Sequence, residues 1–218
     1  MRRNLLTILL IVLPWMPLHA HTLCEGGQHA NLQLPKIKNG RVLAIACPAE
    51  GDSGTITLNV LAGGKKLTSA KTAFKASAYE LLLDNSIDFD NGVSQGLGVS
   101  TGEGRDANGM HYWIISADGR SMIDLGDAPL LVKDKFMKGY FSTLVSSSGE
   151  YQAFRYFYVL SDNRLSLQRA IGYKWNDDSS GTAVSMEVLA DQNFISLRQK
   201  TLPAAKIDQC QKGEIDCW

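Results

Sequence analysis

Net charge is the first thing this sequence lacks. Twenty-two Lys and Arg stand against 22 Asp and Glu over 218 residues. A chain balanced in this way gives no electrostatic reason to bind nucleic acid or an anionic membrane surface. Histidine is scarce as well, with four in the chain. His21, His29 and His111 are scattered, and none sits in a motif that would make a Ser-His-Asp triad. No C-x-x-C pair occurs, so cysteine ligation of a metal is not indicated. No repeat of roughly 20–50 residues is visible, which counts against a complete propeller. Nor is there a low-complexity linker or, past the first twenty residues, a sustained 3.6-residue apolar period. Long helices are thereby excluded.

What is present begins with residues 1–20. Arg2 and Arg3 open the chain, and Leu5 to Leu13 (LLTILLIVL) is an almost unbroken apolar run. Pro14 and Pro17 break it, and Leu18-His19-Ala20 offers a small residue for cleavage. This three-part pattern predicts a secretory signal peptide. Its apolar run falls short of the roughly 20 residues a membrane span needs. The expectation is export to the periplasm, a mature chain starting near His21, and no membrane span after cleavage. Without Arg2 and Arg3 the mature chain has 20 basic residues against 22 acidic, a net charge of −2. The about 198 residues that remain suit one domain over 21–218.

Four cysteines in an exported chain read as two disulfides. Sequence proximity favours Cys24–Cys47 and Cys210–Cys217, the alternative being a link between the termini. Short β-rich runs punctuated by Gly, Asn, Asp and Ser fill the rest. Strands are predicted over 41–47, 55–61, 79–83, 111–115, 121–125, 140–145, 154–160, 165–171, 184–189 and 194–197. Gly63-Gly64, Asp118-Gly119, Ser148-Gly149 and Asp162-Asn163 supply turns. Residues 129–137 could hold a helical turn or two, and the segment up to about Lys75 reads as less regular. The fold class is all-β, an antiparallel sandwich or barrel-like sheet with long loops and little helix.

Three segments could carry chemistry. In 84–96 (DNSIDFDNGVSQG), oxygen-bearing side chains alternate at Asp84, Ser86, Asp88 and Asp90, and Asn91-Gly92 permits a sharp turn. Calcium loops use hard oxygen ligands at such spacing, but the closing bidentate acid is absent and the same residues also form Asx turns. The Gly-rich stretch 96–110 is followed by a strand rather than a helix, which excludes a phosphate-cradling loop. The third, Ser146 to Gln152, presents Ser148, Gly149, Glu150 and Tyr151 between two strands, a polar loop suited to protein contact.

From about Leu81 to Leu167 the order of elements resembles a family of exported Gram-negative proteins. Members neutralise peptidoglycan hydrolases and look like periplasmic lysozyme inhibitors. The likeness is carried by IDFDNGVSQGLGV, GEGRDANG, HYWIISADGRSMIDLG, DAPLL and GYFSTLVSSSGEYQAFRYFYV. It implies a binding protein, not an enzyme, that blocks a lysozyme-like peptidoglycan hydrolase by inserting a loop as self-protection or immunity. It also implies calcium on the acidic loop, with Ser86, Ser94 and Asn91 departing from the family's residues there. The alternatives are a structural or adhesin-like envelope module and a hydrolase built on Asp84, Asp88 and Asp90.

Overall fold

The computed structural model describes residues 24–75, 80–104, 107–176, 178–189 and 193–217. The segment read as a signal peptide, with His21 and Tyr79, lies outside them. Strand makes up 58% and helix 4% of the described residues, and no sheet closes on itself among them. The all-β antiparallel expectation holds. Its barrel-like alternative is corrected to a stack of open sheets.

Each sheet is built from strands consecutive in sequence. The first holds β1 (Gln28–Leu34), β2 (Gly40–Pro48), β3 (Gly54–Ala62) and β4 (Lys65–Phe74). The second holds β5 (Leu83–Asp84), β6 (Gln95–Ser100), β7 (Gly109–Ile115) and β8 (Met122–Pro129). The third holds β9 (Val132–Lys133), β10 (Phe141–Ser146), β11 (Ala153–Ser161), β12 (Arg164–Trp175), β13 (Ser180–Val188) and β14 (Phe194–Pro203). A helix, α1 (Ala204–Gln211), follows. Every strand pair is antiparallel, as short connections require.

Alternation decides how the sheets stack. In β2 and β3 every second residue is buried: Val42, Ala44 and Ala46, then Ile56, Leu58 and Val60. These pack on Leu97, Val99, Trp113 and Ile115 of the second sheet. The opposite face of β7, with Met110, Tyr112 and Ile114, meets Phe141, Tyr158 and Leu165 of the third. The second sheet is therefore the middle layer, and every residue of β6 and β7 is buried.

Several sequence expectations change. Residues 28–34 are a strand, so the N-terminal portion is as regular as the rest. Residues 129–137 form no helix, and the helix lies instead at 204–211. The first part of the Gly-rich stretch is strand β6. A Cβ on Gly96 would lie 2.2 Å from the Ile87 carbonyl, and one on Gly98 would lie 2.8 Å from the Tyr112 ring. These glycines make room for tight packing rather than for a loop. Cys24 is bonded to Cys47 and Cys210 to Cys217, the pairing that sequence proximity favours.

Candidate functional site

The connection from β8 to β9 shapes an exposed apolar surface. Tyr112 is fully buried, and its hydroxyl donates to the Pro129 carbonyl at 3.2 Å and accepts the Leu131 N–H at 2.8 Å. Burial pushes the phenol well above its ordinary pKa. Pinned in this way, Leu131 turns into the core at 2% exposure, whereas Leu130 and Val132 point out at 48% and 60%. On the facing side Ser100 grips Leu82 by two hydrogen bonds, leaving Leu82 52% exposed. Between them lies a groove of about 580 Å³ with Leu83 and Met110 in its wall and Asp84, Ser86 and Asn108 at its edge. A shallower concavity continues it past Leu130 and Val132 to Leu144, which is 43% exposed. Four large aliphatic side chains thus form one exposed patch, the kind of surface that marks an interaction site.

Two loops border this patch, the β6–β7 connection and the predicted contact loop 146–152. The Leu130 N–H bonds the Asn108 carbonyl of the β6–β7 loop at 2.9 Å, and Leu144 stands two residues before the loop 146–152. The β6–β7 loop is braced by the Lys75–Glu103 ion pair at 2.7 Å. Arg105 and Asp106 lie outside the described residues. In the other loop Ser148, Gly149 and Glu150 are exposed, and Glu150 lies 3.7 Å from Lys174. Tyr151 folds back onto the sheet, where its ring covers Gly172 and meets Phe154 at 5.3 Å. A Cβ on Gly172 would lie 2.7 Å from that ring, so the glycine is its seat. Burial, with the Glu150 charge behind it, raises the Tyr151 phenol above its ordinary value.

The acidic loop is organised differently from a metal cage. Asp84 Oδ1 accepts the Ser86 N–H at 2.8 Å, Asp88 Oδ1 the Gly92 N–H at 2.8 Å and Asp90 Oδ1 the Ser94 N–H at 3.0 Å. Lys36 Nζ donates to the Ser94 carbonyl and lies 4.0 Å from Asp88. Calcium takes six to eight oxygens at one point. Here each aspartate turns an oxygen to its own loop backbone, and among the described residues no group of three or more His, Cys, Asp or Glu converges. The residues do not fit a calcium site.

Sequence reasoning missed two networks. His111 lies inside the middle sheet at 9% exposure. Its Nδ1 lies 2.6 Å from Asp127 and 3.2 Å from Thr72 of β4, and its Nε2 lies 2.8 Å from Asp124. The Asp118-Gly119 turn joins β7 to β8, and a register shift between Tyr112 and Trp113 then brings Asp127 opposite His111. The second network is buried. Arg155 reaches Asp134 at 2.7 Å, Ser142 at 3.3 Å and the Cys210 carbonyl at 3.3 Å, seating the C-terminal disulfide turn on the third sheet. Burial alone would raise the Asp134 carboxyl. The Met137 and Phe136 N–H groups, Ser142 and Arg155 outweigh it and hold the carboxyl below the usual carboxylate range.

No family model matches the chain, and no curated protein does. A solved structure described as a Xanthomonas type IV secretion system related protein is similar over 79% of this chain and 93% of its own, at 10% identity and a TM-score of 0.48. An ACO/RPE65 chimera is similar over 74% of this chain and 47% of its own, at 12% identity and a TM-score of 0.25. At these TM-scores neither likeness bears on function. No helix among the described residues is long and apolar enough to cross a membrane.

Proposed function

We propose that this protein is exported to the periplasm and there inhibits a lysozyme-like peptidoglycan hydrolase by steric obstruction of its cleft. The observation that carries this reading is the patch of Leu82, Leu130, Val132 and Leu144 between the described residues of the β6–β7 connection, 101–104 and 107–108, and the loop 146–152. An apolar centre ringed by polar groups is the anatomy of a protein–protein interface, and loops on a rigid stack of sheets are where binding residues concentrate. Two disulfides suit an oxidising compartment. The leader and the family resemblance point to the same compartment and the same class of partner.

The runner-up, a structural or adhesin-like envelope module, draws on the outer edge of β14. Nine of its ten residues are exposed, and an open edge strand can extend a sheet into a neighbour. Incubating the mature protein with a panel of lysozymes and peptidoglycan hydrolases, and separately with insoluble peptidoglycan alone, separates the two. Loss of hydrolase activity at stoichiometric inhibitor supports the first reading. Sedimentation with peptidoglycan and no inhibition supports the second.

A further inference from the structure

We propose that Lys36 is the resident cation of the 84–94 loop, standing where the family resemblance implies calcium, so that this loop is held without a metal. This stands apart from the inhibitory reading and survives its failure.

The placement of Lys36 follows from its neighbours. Leu34 and Ile37 are buried at 1% and 6% exposure on either side of it, and the turn is closed by hydrogen bonds from Ile37 N–H to Leu34 and from Gly40 N–H to Ile37. The side chain between these anchors is sent out over the loop, where its ammonium meets the Ser94 carbonyl and the Asp88 carboxylate. Asn85 makes a second strap between the same segments, donating to the Gln33 carbonyl at 2.7 Å. From the other side Lys133 of β9 donates to Asn91 Oδ1 at 3.0 Å. The loop of the middle sheet is thus gripped by a lysine from each outer sheet.

Charge and valence agree with this arrangement. The Ser94 carbonyl and one oxygen of each aspartate already have donors. Desolvation would raise the Asp90 carboxyl, but the Ser94 N–H and hydroxyl and the positive Lys36 keep it below its ordinary range. A divalent ion at the same oxygens would have to expel an ammonium that is already covalently part of the chain. It would also meet its repulsion in a partly desolvated site.

Thermal unfolding of the full mature protein tests this, with the wild type, Lys36→Met and Lys36→Arg each melted in 5 mM calcium and in EDTA. The wild-type Tm should be the same in both. Lys36→Met should lower it by about 2–4 °C, and Lys36→Arg, which keeps the charge, by less than about 1 °C. An extracellular-type calcium site would instead raise the wild-type Tm by several degrees through mass action. That rise, or equal melting of Lys36→Met and wild type, overturns the proposal.

Discussion

β7 and β14 are both antiparallel strands interrupted by one register shift, yet all seven residues of the first are buried and nine of the ten in the second are exposed. Their compositions differ less than their surroundings. β14 carries Phe194, Ile195 and Leu197 at 40%, 49% and 51% exposure, whereas β7 buries even His111. Position in the stack makes the difference. β7 is flanked by β6 and β8 and covered by sheets on both faces, and β14 is the last strand of an outer layer. Stability should therefore be concentrated in the middle sheet, and tolerance to change at the β14 edge.

The largest effect expected from breaking that contrast is at Trp113, which is 1% exposed between the first two sheets. Trp113→Ala should cost about 3–5 kcal/mol in a urea titration, through lost burial and the cavity left behind. Next is Arg155→Met in the third sheet. The Arg155 and Asp134 side chains are 10% and 1% exposed, and stranding the carboxylate should cost about 3 kcal/mol by the same measurement.

The acid response sharpens the contrast further. The folded Asp134 and Asp90 carboxyls titrate below the usual range, and unfolded aspartate titrates near about 3.9. Their stabilisation is complete above that value and is lost as pH falls through the lower folded values. Denaturant midpoints should fall steeply below about pH 4, and Asp134→Asn should flatten that fall. The smallest effect is at the open edge, where Ile195→Lys should shift stability by no more than about 0.5 kcal/mol.

Much of this fold was legible from alternation and turn chemistry. The strand at 54–62 follows the polar–apolar alternation of 55–61, the strand at 40–48 follows the β-rich run 41–47, and the Asp118-Gly119 turn sits between β7 and β8. Failures had physical causes. Gly96 and Gly98 signal loop in sequence but serve strand packing, a distinction that depends on Ile87 and Tyr112, distant neighbours that no local pattern reveals. α1 escaped notice because it is only eight residues long, with two of them buried. Of the site, the loops were visible as polar segments. The aliphatic patch was not, because Leu130 and Leu131 are identical in sequence and are told apart by distant partners, the Asn108 carbonyl for Leu130 and the Tyr112 hydroxyl for Leu131. Tyr151 looked like a free loop tip, and its seat on Gly172 needed the β11–β12 pairing.

The central claim is that the patch beside the two loops obstructs a peptidoglycan hydrolase. Its most direct test is a parallel titration of peptidoglycan hydrolases with the wild type, Leu130→Asp and Ile195→Asp, after circular dichroism has shown all three folded. Leu130 and Ile195 are almost equally exposed, at 48% and 49%, so any difference reports location rather than hydrophobicity. The account predicts that wild type and Ile195→Asp inhibit alike and that Leu130→Asp is weakened roughly 30-fold or more, the factor for a loss of about 2 kcal/mol at an interface centre. Equal inhibition by all three, or no inhibition of any cell-wall hydrolase by the wild type, would contradict it.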